Sequence, residues 1–93
     1  MERQDIAQTR ALGALGWMAA QEGLLEAFLH MSGGSVDDLR ENAQRPATLA
    51  AVLDFILQED RWVIDCAAAL GCRPQLLVED RAVLGGGDRR HWT

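Results

Sequence analysis

The sequence predicts an all-α protein, a compact bundle of five to six short helices, and three observations carry that prediction. Apolar residues recur near a 3.6-residue period between breaks, β-branched residues are few with no sustained alternation, and Gly and Pro stand where helices stop and start. A chain of 93 residues has room for one domain. Its expected extent is 5–84, followed by a polar segment at 85–93 that reads as a flexible C-terminal tail.

The first helix is expected from about Asp5 to Ala20, with Ile6, Ala11, Leu12, Ala14, Leu15, Met18 and Ala19 as its apolar stripe. Gly13 and Gly16 each weaken it by roughly 1 kcal/mol relative to Ala, a cost tolerated where a neighbouring helix must come close. After a break at Gln21-Glu22-Gly23, Leu24, Leu25, Phe28 and Leu29 mark a short second helix. Ser32-Gly33-Gly34 ends it, a glycine there being free to turn left-handed. Ser35 caps a third helix, and Asp38, three residues on, completes a variant of the capping box. Asp37 and Asp38 also suit the positive end of that helix.

Pro46 occupies the first-turn position of the densest apolar run, Leu49, Val52, Leu53, Phe55, Ile56 and Leu57, which reads as the central helix. Asp60 is the expected cap of the fifth helix, whose inner face is Trp62, Val63, Cys66, Ala67 and Leu70 and which Gly71 closes. Pro74 opens a sixth carrying Leu76, Leu77, Val83 and Leu84, stopped by Gly85-Gly86-Gly87. Sliding the chain by 38 residues aligns Gly33 with Gly71, Leu15 with Leu53, and Trp17-Met18 with Phe55-Ile56. That echo suggests two similar three-helix halves. Helical patterns also align with one another easily, so the identities leave duplication open.

Composition excludes several functions. A net charge of −5 and a pI near 4.8 argue against nucleic acid and against an anionic membrane, both of which demand clustered positive charge. No apolar stretch is long enough to span a bilayer, and the polar N-terminus lacks the plan of a signal peptide. Cys66 and Cys72 follow no metal or redox spacing, which fits a reduced, cytoplasmic protein.

Catalytic chemistry is not expected either. Ser35 is explained as a cap, Ser32 as part of a helix end and Cys66 as a core residue, while His30 lies on a polar face and His91 in the tail. Neither the Cys and His residues nor Asp37, Asp38 and Glu41 make a metal-binding pattern, and Gly85-Gly86-Gly87 follows a helix where a phosphate loop precedes one. No cofactor, metal or catalytic residue is expected, and the chain reads as no enzyme.

Asp54 interrupts the densest apolar run, so it either pairs with Arg40 on the third helix as a structural ion pair or lies on an exposed strip. The expected function is therefore a small cytoplasmic interaction module or regulatory adaptor that docks on another protein. Its candidate contact residues are Trp17, Met18, Met31 and Trp62, because aromatic anchors dominate interface energetics. Homodimerisation stays open. The alternative is a DNA-binding regulator: Ala67-Ala68-Ala69-Leu70-Gly71 followed by Leu77 has a helix-turn-helix skeleton, using residues 63–84. Glu79 and Asp80 would then face phosphates.

Ala14-Leu15-Gly16-Trp17-Met18-Ala19, Phe28-Leu29 with Ser32-Gly33, and Asp38-Leu39-Arg40 form one part of a larger pattern. Leu49 to Leu57, Ala67-Ala68-Ala69-Leu70-Gly71 and Gly85-Gly86 complete it. From about Thr9 to Gly87 this pattern resembles a family of short bacterial proteins, chiefly alphaproteobacterial, defined as a domain of unknown function. The resemblance implies an all-helical, cytoplasmic and complete protein. It brings no activity, cofactor or catalytic residue to carry over.

Overall fold

The computed structural model describes residues 2–85, and among them the secondary structure is helix alone. Six helices follow in order: α1 (Arg3–Ala20), α2 (Leu24–Ser32), α3 (Val36–Asn42), α4 (Pro46–Ile56), α5 (Asp60–Leu70) and α6 (Pro74–Leu84). Beyond Gly85, the tail expected at 85–93, with His91, lies outside the described residues.

Local chemistry accounts for most boundaries. Pro46 and Pro74 open α4 and α6 at the position where a missing N–H costs nothing. Ser35 and Asp38 form the reciprocal capping box: the Asp38 N–H donates to Ser35 Oγ at 3.1 Å and the Ser35 N–H to Asp38 Oδ2 at 3.3 Å. Gly71 is left-handed at φ 71°, and its N–H donates to the Ala68 carbonyl while the Cys72 N–H donates to Ala67. That pair of bonds ends α5 in a Schellman turn. The expected cap of α5 moves by one residue: Asp60 is the first helical residue, and Glu59 precedes it without a side-chain capping bond.

The core sits where α1, α4, α5 and α6 meet. α4 contributes Leu49, Ala50, Val52, Leu53, Phe55 and Ile56, so most of its circumference is buried, as a run this apolar requires. Phe55 meets Phe28 of α2 edge-on at 5.6 Å and stacks on Trp62 of α5 at 5.0 Å, both favoured aromatic geometries. α1 packs against α4, α5 and α6, and α6 against α1, α4 and α5. α3 buries no residue and meets the core through half-buried Leu39.

The buried stripe of α1 is narrower than expected, being Ala7, Ala11, Ala14 and Met18. Ile6 and Leu12 are 39% exposed, and Ala19 is exposed. Along Ala7, Ala11 and Ala14 the small side chains let neighbouring helices approach α1 closely, and Met18 is the one large side chain buried on that line. Gly13 belongs to this close approach, because a Cβ there would lie 3.0 Å from Leu70 Cδ2. Gly16 does not, since a Cβ there meets nothing within 4 Å. Gly16→Ala is therefore expected to raise stability by about 0.5–1 kcal/mol. Gly13→Ala should gain less, or lose, because Leu70 must shift. Thermal melts of both variants check this, and a lowered melting temperature for Gly16→Ala would contradict the assignment.

The 38-residue echo appears in register and burial. Ala11 and Leu49, Ala14 and Val52, Met18 and Ile56, and Phe28 and Cys66 are matched buried positions. Gly33 and Gly71 are both left-handed, at φ 78° and 71°. Packing does not follow a twofold: α6 sits between α1, α4 and α5, whereas its counterpart α3 lies at the periphery.

Candidate functional site

Of the four residues expected to form a docking surface, the structure removes one. Met18 is fully buried on the alanine stripe of α1, so it belongs to the core and not to a contact surface. Its i+4 spacing from Ala14 puts it on that line. Trp17 and Trp62 are half-buried against the core, Trp62 through its stacking on Phe55. Met31 is 59% exposed at the end of α2, with Gln58 Nε2 3.9 Å from its sulfur. None of the four lines the groove described below.

The expected Arg40–Asp54 pair does not form. Asp54 lies on an exposed strip of α4 with Ala51, and its Oδ1 accepts from Arg81 Nε at 2.5 Å. The partner comes from α6, which packs on α4, while α3 and its exposed Arg40 lie to one side. With more than half of the Asp54 side chain in solvent, this ion pair contributes at most about 1 kcal/mol.

A second pair is the buried one. Arg10 Nε of α1 stands 2.9 Å from Asp80 Oδ2 of α6, with side chains 19% and 7% exposed. The contact is an ion pair by distance; neither atom has an aligned hydrogen-bond partner among the described residues. Burial pushes the Asp80 carboxyl above its ordinary pKa, Arg10 opposes that shift and Glu79 adds to it. Both residues follow the buried stripes of their helices, Asp80 between Leu77 and Leu84 and Arg10 between Ala7 and Ala14. That periodicity is the signal by which the sequence could have shown them.

Arg10 of the pair also lines the principal concavity, a groove of about 730 Å³ where α1 crosses the end of α5 and the start of α6. The Schellman turn at Gly71 and the restart at Pro74 place Cys72 and Arg73 at its edge. Ala67 and Ala68 are too small to fill it, and Ile6, Leu70 and Leu76 supply its larger apolar surfaces. Arg10 and Arg73 are its charged residues. A smaller cavity continues past Ile6, Arg10 and Leu76, lined also by Arg3, Glu79, Asp80 and Val83.

The thiols sit differently around this groove. Cys66 is buried, which together with Cys72 pushes its pKa up to about 11 and keeps it protonated at neutral pH. Cys72 is half-exposed, and both cysteines are free. Among the described residues no group of three His, Cys, Asp or Glu side chains is arranged to hold a metal ion. No helix among them is long and apolar enough to cross a membrane.

The helix-turn-helix elements are present as α5, a three-residue turn and α6. The outward face of α6 presents Gln75, Val78, Glu79 and Ala82, one acidic side chain and none basic. Asp80, expected to face phosphates, is instead turned into the protein against Arg10.

No curated protein and no solved structure matches the chain. Residues 4–87, nearly all of the six-helix unit and the three glycines that follow it in the sequence, match the family described as "Protein of unknown function (DUF3572)", and the chain belongs to that family.

Proposed function

We propose that this chain acts by binding, as a small cytoplasmic docking module or adaptor whose contact surface is the groove between α1, α5 and α6. The observation that carries this reading is the groove's chemistry: Ile6, Leu70 and Leu76 with small Ala67 and Ala68, in a concavity open along its length. Small-molecule sites enclose most of their ligand, and catalytic sites converge several titratable groups. An open apolar channel between helices takes a segment of another chain. The free thiols of Cys66 and Cys72 support the reducing compartment.

Ala68 is exposed and lines the groove, so Ala68→Arg should block it while leaving the core intact. Tagged wild-type protein and the variant are used as baits in native lysate, with thermal melts as the control for folding. The expected result is one protein recovered in stoichiometric amount on the wild type and lost on Ala68→Arg. Identical recovery on both baits, or none on either, would overturn the reading. Nucleic acid recovered in its place and lost as salt rises would favour a DNA-binding regulator.

A further inference from the structure

We infer that the occupant of this groove is an amphipathic helix of a partner protein carrying carboxylates beside its apolar stripe. The inference rests on the docking reading and adds the chemistry of the partner.

The occupant's conformation follows from the secondary structure. An extended segment gains affinity by adding a strand to a sheet edge, and the described residues offer no sheet. A helix needs no backbone partner and binds through side chains at i, i+3, i+4 and i+7. The apolar surfaces of Ile6, Leu70 and Leu76 come from three different helices and suit such a stripe. Ala67 and Ala68, on the same turn of α5, leave the depth that large partner side chains would fill.

Charge complementarity sets the sign. The chain carries 14 acidic residues against 9 basic ones, yet the groove lining holds Arg10 and Arg73 and no carboxylate. Arg3 extends the positive side into the adjoining cavity. Glu79 and Asp80 also reach that cavity, and Asp80 is matched to Arg10. Arg73 is exposed and has no ion-pair partner among the described residues. Arg10 contacts Asp80 through Nε, and a guanidinium carries further donors that can meet a carboxylate. A cationic partner would face both arginines in the groove, whereas an acidic one would complete them.

Three labelled helical peptides test this against the full chain by fluorescence anisotropy. They share one leucine stripe, flanked by Glu, by Gln or by Lys. The Glu peptide is expected to bind about tenfold tighter than the Lys peptide at low salt, with the preference shrinking as salt screens it. Arg73→Gln should weaken the Glu peptide by about threefold and Arg73→Glu by about tenfold, since each change removes or inverts one exposed charge. Ala68→Arg should abolish binding of all three. Equal binding of the three peptides, still lost in Ala68→Arg, would overturn the acidic partner and leave the docking groove standing. Binding that Ala68→Arg leaves unchanged, or no binding at all, would overturn both. Concentration-dependent dimerisation in sedimentation, lost in Ala68→Arg, would assign the groove to a second copy of the chain and overturn the inference.

Discussion

Met18→Ala is expected to lower the unfolding free energy by about 3 kcal/mol, within the range for burying no side chain where a large one stood. Met18 is fully buried at the junction of α1 with the rest of the core, among the largest side chains sealed from solvent. Its neighbours on the stripe are Ala11 and Ala14, which cannot swing in to fill the space. A domain of this size has roughly 5–15 kcal/mol in total, so the variant should melt more than 10 °C below the wild type. Met31→Ala supplies the contrast: at 59% exposure it should change stability by less than about 0.5 kcal/mol. Urea titrations followed by tryptophan fluorescence measure both. A Met18→Ala protein as stable as the wild type would return Met18 to the surface.

The sequence offers both methionines as contact residues, and only their burial in the folded chain separates them. Helix ends were legible because their causes lie within a few residues: Pro46 and Pro74 at first turns, the Ser35–Asp38 box, and the left-handed glycines Gly33 and Gly71. The buried face of α1 was harder to read. Periodicity weighs Ile6 and Leu12 above Ala7, yet Ala7, Ala11 and Ala14 are the residues buried on a helix that packs against three others. Which of two amphipathic lines is buried depends on how closely the partners approach, and that is a tertiary property.

Asp54 divides along the same boundary. The sequence leaves open whether it is paired or exposed, because its partner depends on which helices cross α4, and the one that brings an arginine to it is α6. The groove was not legible at all. Ile6, Leu70 and Leu76 lie far apart in the chain and meet only because α1 crosses α5 and α6. Trp17, Met18, Met31 and Trp62 are the anchors that interface energetics favours, and none lines the groove, whose depth comes from small residues.

The buried pair gives the second large effect. Arg10→Met is expected to cost about 3 kcal/mol at neutral pH, because it leaves the Asp80 carboxylate desolvated without a counter-charge. The double variant Arg10→Met/Asp80→Leu should recover most of that loss, since two apolar side chains of similar bulk need no desolvation of charge. The pH dependence separates this account from simple packing. In the wild type the folded state holds the Asp80 proton more tightly than the unfolded chain, because burial raises that pKa. Between the ordinary aspartate value of about 3.9 and the raised folded value, the unfolded chain therefore binds fewer protons. Through this group, stability falls as pH rises across that window and levels off above it. Arg10→Met removes the one influence that lowers the Asp80 pKa, so the window widens upward and the variant should regain stability on mild acidification. The double variant should lack this component altogether. A double variant at least as damaged as the single one, with the same pH profile, would mean that the pair is a required clamp between α1 and α6. Recovery would instead mark Arg10 as a charge retained at the groove despite its cost to the fold, the pattern expected of a residue kept for what it binds.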